Sequence, residues 1–219
     1  MSQLNITVIG ATGMAGSAIV QEAVKRGHTV TAMARSENDL AALAKKVAGI
    51  HTMAVDAFQV PAEDWHAADA VVDAFATDPA HAYLHIDLAT RLVAELRGTN
   101  KPRVVFILGA GSLQTGADHH LVVDDLRKLP GSDQFIAIPE SQYIELQFLR
   151  SVKNVNWVGI SPSRDFTAGP ATKVLMGTNT LLHNAAGQSH TTAGTMAVAV
   201  LDEIEQPQHR QTRFTVADK

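Results

Sequence analysis

The chain has 219 residues, of which 46% are hydrophobic and 18% charged, with 22 acidic against 18 basic residues for a net charge of −4. That apolar content can bury a core and excludes disorder as a description of the whole, while the acidic balance disfavours a nucleic-acid binder held by phosphate contacts. With no cysteine there is no disulfide scaffold, thiolate metal site or cysteine nucleophile; with no apolar run of bilayer length and no basic-then-apolar leader, the expectation is one cytoplasmic domain over residues 1–219, not associated with a membrane.

In chain order, residues 4–9 (Leu-Asn-Ile-Thr-Val-Ile) read as a strand rich in β-branched residues. A glycine-containing turn follows, then a helix over 14–26 with Ala18, Ile19, Ala23 and Val24 as its apolar stripe. Further strands are expected at 29–34, 51–55, 70–75, 103–108, 156–160 and 212–216. Further helices are expected at 37–47, 80–97, from Pro139 to about Ser151, and at 192–205. The stretch 109–138 reads as irregular and polar, long for a bare loop and therefore a candidate functional segment. No internal repeat or linker interrupts this alternation. It implies an α/β chain: a single-domain Rossmann fold, doubly wound, with a mostly parallel sheet of about seven strands and helices on both faces. Ligands then belong at the carboxyl ends of the strands, with the substrate side in the loops 109–138 and 163–190.

The sharpest feature is Gly10-Ala11-Thr12-Gly13-Met14-Ala15-Gly16, placed between the first strand and the first helix. A tight reversal is needed at Gly10, a close approach of backbone to a pyrophosphate at Gly13, and close helix packing at Gly16. The helix start then offers free N–H groups and a positive dipole end to the phosphates, over Thr12, Gly13, Met14 and Ala15.

With this spacing the chain resembles the short-chain dehydrogenase/reductase superfamily in its atypical branch. Within that branch it is similar to the small NAD(P)H-binding proteins grouped as NADH-flavin reductase-like, NmrA-like and biliverdin reductase B-like. The likeness runs through Val8–Gly16, then Phe106-Ile107-Leu108-Gly109-Ala110-Gly111-Ser112-Leu113, then Trp157-Val158-Gly159-Ile160-Ser161-Pro162-Ser163, and the tail from Gln206 to Val216.

The end of the second strand should meet the adenosine ribose, where an acidic residue favours NAD. Here Ala34-Arg35-Ser36 stands instead. Arg35 suits a bidentate contact to a 2′-phosphate and Ser36 an added hydrogen bond, so NADP(H) is preferred and NAD(H) is second; the plain alternative is a solvated arginine. The resemblance implies that Asp56 and Ala57 lie by the adenine and that Phe75, Ala76 and Thr77 line the ribose. It also implies that Gly109 and Ser161, Pro162 and Ser163 flank the nicotinamide. Asp56 read by itself is equally a turn-capping residue.

The superfamily's catalytic set is Ser, Tyr and Lys. The candidates here are Ser112 and Tyr143, but the position four residues on is Gln147, so Tyr143 lacks its activating cation and reads as structural or substrate-lining. A ketone would be poorly served by such a site, whereas a flavin (FMN, FAD or riboflavin) or a quinone accepts hydride into a delocalised system. The expectation is therefore an NAD(P)H-dependent reductase of a small-molecule acceptor, monomeric or homodimeric. The alternatives are a non-catalytic dinucleotide-binding redox sensor and a sugar-nucleotide epimerase or dehydratase. Arg164 is placed to meet an anionic acceptor group or to stay solvated. The run around His119 and His120 has no zinc spacing, and no metal site is expected.

Overall fold

In the computed structural model, which describes residues 2–219, the chain alternates strands and helices as follows. The first half contains β1 (Asn5–Ile9), α1 (Met14–Lys25), β2 (Thr29–Ala34), α2 (Glu37–Lys46), β3 (His51–Ala54), α3 (Ala62–His66), β4 (Ala70–Asp73) and α4 (Leu84–Glu95). The second half contains β5 (Thr99–Ile107), β6 (Gln114–Thr115), β7 (His120–Leu121), α5 (Val122–Leu126), α6 (Ala137–Ser151), β8 (Val155–Pro162), β9 (Asp165–Thr167), β10 (Val174–Gly177), β11 (His190–Thr192), α7 (Ala193–Glu205) and β12 (Arg213–Asp218).

The central sheet has eight strands in the order β10-β12-β8-β5-β4-β1-β2-β3. All pairs are parallel except β10 with β12, where Val174 lies opposite Asp218 and Gly177 opposite Thr215. The expected seven strands are all present, and the eighth is a correction: β10 lies inside the stretch read as a substrate loop. Its short apolar run, Val174-Leu175-Met176, is too brief to announce a strand without the long-range partner that pairs with it. Within 109–138, likewise, a two-stranded hairpin and α5 stand where an irregular stretch was expected.

Strand residues alternate between two helical layers, as the period of two requires. Ile6, Val8, Val30, Ala32, Val72, Val158 and Phe214 pack with α1, α2 and α7. Ile9, Met33, Val71, Val104, Phe106 and Trp157 face the other way onto α3, α4 and α6. Such strands are buried on both faces and so read as continuous apolar runs. Helix α2 is closed by its own sequence: the Ser36 hydroxyl accepts from the Asp39 N–H at 3.2 Å, with acids in the first turn and Lys45 and Lys46 in the last.

At the opposite end from the glycine turn, Arg103 and Glu203 form a buried ion pair. The Glu203 carboxylate also accepts from the backbone of Gln208 and His209. Hydrogen bonds from the backbone satisfy the carboxylate's remaining lone pairs, while the Arg103 Nε stays buried without a partner among the described residues.

The winding reverses at β1. Strands β2 and β3 extend to one side, and β4, β5, β8 and β12 to the other, which opens a crevice beyond the carboxyl ends of β1 and β4.

Candidate functional site

The β1–α1 turn occupies that crevice. Gly10 adopts φ +68°, and a Cβ there would stand 2.4 Å from the Ala74 carbonyl oxygen at the end of β4. Gly16 is tighter still: a Cβ would stand 2.1 Å from the Gly10 oxygen. Only glycine lets the turn lie against β4 and the helix lie against the turn. Gly13 is the N-cap of α1; it contributes no side-chain cap, and the first turn holds no acid. The Gly13 carbonyl accepts from the Ser17 N–H at 2.9 Å, so the N–H groups of Met14, Ala15 and Gly16 have no helical acceptor. The result is an open, electropositive cradle.

Two cavities run into one another above this cradle, sharing Gly13, Ala74, Phe75 and Ala76. The first is lined by the ends of β1, β2 and β3: Thr12, Met33, Arg35, Ser36, Asp39, Val55, Asp56 and Ala57 among others. Arg35 is exposed there and makes no ion pair among the described residues. Ser36 spends its oxygen on capping α2 but keeps its O–H to donate. One Asp56 oxygen accepts from the Phe58 N–H at 3.0 Å, and the residue lines the cavity. Asp39 is a wall residue that sequence reasoning missed. It adds a carboxylate to the wall that Arg35 also lines, where a 2′-phosphate and a ribose hydroxyl would make opposite demands.

The second cavity lies over β4, β5 and β8. Its walls include Met14, Ala15, Thr77, Gly109, Pro162, Ser163, Arg164 and Phe166, with His85 from α4 and Ile138 and Gln142 from α6. Gly109 is packed so closely that a Cβ would stand 2.2 Å from the Gln142 side-chain oxygen. Phe75 forms part of both walls and meets Phe58 and His85 edge-to-face at 6.0 and 5.4 Å. Ser163 is fully buried; its hydroxyl donates to the Leu182 carbonyl at 3.2 Å.

Three sequence candidates sit elsewhere. Ser112 and Ser161 are buried and turn toward Arg213, whose guanidinium donates to their hydroxyls at 3.3 and 3.1 Å and to Asn179 at 3.0 Å. Burial without a facing carboxylate lowers Arg213 to about 10, which still leaves it charged at neutral pH. Tyr143 lies on α6 beside Gln142 but does not line the second cavity. On a helix, the cavity-facing pair Ile138 and Gln142 are four apart, and Tyr143 is turned roughly 100° away.

Beneath the second cavity lies a pair of buried acids. The Asp73 carboxylate accepts from the Phe75 N–H at 3.0 Å, and burial raises its pKa to about 6. Glu145 on α6 is pushed well above its ordinary value by burial and then by Asp73. Folded-state pKa values raised above the unfolded ones mean that the folded chain binds extra protons. This contribution to stability is complete below about pH 4 and is lost as pH rises through about 6. Asp73→Asn should therefore stabilise the protein at pH 7 by up to about 3 kcal/mol, and the gain should vanish in acid. His85 titrates the opposite way, since burial lowers it to about 4. The check is thus the difference between variant and wild-type denaturation curves across pH; a pH-independent difference would refute it.

Comparison with known proteins bears on this geometry. A family model described as NAD(P)H-binding matches residues 10–207. The chain belongs to the NAD(P)H-binding family. It is 34% identical to YwnB, an uncharacterized protein of Bacillus subtilis (strain 168), over 99% of each chain. A crystal structure of a Lactobacillus casei protein is 42% identical, with a TM-score of 0.88 and coverage of 98% of this chain and 99% of that one. Another, SP1627 from Streptococcus pneumoniae TIGR4, has been proposed to be an NADH-flavin reductase. It is 32% identical, with a TM-score of 0.87 and coverage of 99% and 100%. The family's cofactor suits the open cradle and the closely packed Gly10 and Gly16. Among the described residues, no helix is long and apolar enough to cross a membrane.

Of the wall residues, the glycine turn and the strand-end residues were visible in sequence. His85 and Gln142 were missed, although a signal existed. His85, Leu88, Ala89 and Leu92 follow the i, i+3, i+4, i+7 stripe of a buried helix face, and a polar ring on that stripe needs a reason to be there.

Proposed function

We propose that the chain is an NADPH-dependent reductase that passes a hydride to a conjugated acceptor, with flavin as the substrate class. The observation that carries the reading is the chemistry of the second cavity. Its polar wall, among the described residues, offers Thr77, His85, Gln142, Ser163 and Arg164, and no tyrosine or lysine. A hydroxyl activated by a cation is what ketone reduction requires, because the alkoxide must be protonated at once. Hydride transfer to a flavin leaves a delocalised product, so that alignment and exclusion of water supply much of the rate.

NADPH supplies the hydride when bound. The chain's residues do the rest. The N–H groups at the start of α1 hold the diphosphate, and Arg35 takes the 2′-phosphate. Leu108, Ile138 and Phe166 keep water from the ring. Arg164 stands at the rim, where it suits a phosphorylated acceptor. The flavin-reductase proposal made for the streptococcal relative supports the same acceptor class.

The test is NADPH oxidation, followed by absorbance, with and without riboflavin or FMN. Flavin-dependent turnover is expected, and Tyr143→Phe should leave it nearly unchanged. A loss of about a hundredfold in that variant would make Tyr143 the proton donor and overturn the argument. Tight cofactor binding without turnover, over a panel of flavins and quinones, would favour a redox-sensing role.

A further inference from the structure

His85 is 6% exposed and lines the second cavity, yet no group in the protein hydrogen-bonds its ring among the described residues. Neither ring nitrogen is among the fully enclosed unpartnered atoms, so its polar edge opens on the cavity. The ring meets Phe75 edge-to-face, at a centroid distance of 5.4 Å and an interplanar angle of 76°. Gln142, on α6, also lines this cavity and presents a carboxamide whose oxygen packs over Gly109. Buried polar groups without partners cost free energy unless a ligand satisfies them.

We propose that His85 and Gln142 read the polar edge of the acceptor, and that this edge is an imide, a run of carbonyl, N–H and carbonyl. The inference rests on the reductase reading and deepens it. A neutral imidazole offers one donor and one acceptor, and a carboxamide offers both again. An imide edge, as on the pyrimidine ring of a flavin, answers donors and acceptors together. A quinone presents carbonyl oxygens only and would leave unpaired the one acceptor atom that the single imide N–H satisfies, which is how a polar site rejects an analogue. His85 is thus a specificity-determining residue that touches the acceptor.

The experiment is equilibrium quenching of lumiflavin and 3-methyllumiflavin fluorescence by NADP+-saturated protein; the second probe lacks the imide N–H. Wild type should bind lumiflavin about tenfold more tightly, the scale of one good hydrogen bond. His85→Phe, which keeps the ring packing, should weaken lumiflavin about tenfold and flatten the difference, while NADP+ affinity holds. Gln142→Met should shrink the same difference, and covers the case in which the His85 variant does not fold. Equal binding of the two probes by wild type would overturn the proposal. So would an unchanged preference in both variants, or a loss of NADP+ affinity in His85→Phe equal to that of lumiflavin. Because the readout is binding, a wild type that discriminates the probes without turning over would sink the reductase reading and leave the edge recognition standing.

Discussion

Gly16→Val should cost the protein at least about a hundredfold in NADPH affinity and about 3 kcal/mol or more in stability. The reason is the choice of neighbours. A Cβ at Gly16 would lie 2.1 Å from the Gly10 oxygen, 2.8 Å from its carbonyl carbon and 2.9 Å from the Ala11 Cα. All three are backbone atoms, so no side chain can swing aside. The start of α1 must lift away, and the N–H groups of Met14, Ala15 and the residue at 16 move with it. Retreat of the turn is closed off, since Gly10 already rests on Ala74. Calorimetric titration with NADPH and a denaturation curve check both halves of the claim. Near-native affinity in a folded variant would mean that the diphosphate is held elsewhere.

Arg35→Ala should reduce NADPH affinity by about ten- to a hundredfold, the worth of a charge-assisted bidentate contact, and NADH affinity far less. Arg35 is exposed at the end of β2 and makes no ion pair among the described residues, so its removal strands no buried charge. Asp39 supplies the opposing demand, because its carboxylate shares the same wall. Asp39→Asn should accordingly favour NADPH further. Parallel titrations with the two cofactors decide the matter; equal losses in Arg35→Ala would remove the 2′-phosphate assignment.

The fold was legible because its two main signals are local. Strands such as β4 and β5 are buried on both faces and carry short apolar runs (Ala70-Val71-Val72, Val104-Val105-Phe106-Ile107), and the glycine spacing declares where the first crossover begins. Most of the first cavity's wall follows from those signals, since it lies at or just after the strand ends, whereas Asp39, inside α2, does not. The acceptor half was less legible because it depends on helix rotation and long-range contacts. Whether α6 turns Gln142 or Tyr143 into the cavity depends on how it packs against α4, which no short window contains. Ser112 stands in a family motif, but Arg213, 101 residues later, draws its hydroxyl aside. Strand β10 is visible only through β12.

The walls of the first cavity all fall between Ile9 and Ala76, whereas the second draws on both halves of the chain: the glycine turn, the end of β4 and His85 on one side, and Ile107 to Phe166 on the other. The first cavity is therefore written in one stretch of the gene and the second in two. Mutation or recombination beyond residue 100 can reshape one wall of the second cavity while the glycine turn, Arg35 and His85 stay as they were, which makes this scaffold a natural recipient for grafted acceptor loops.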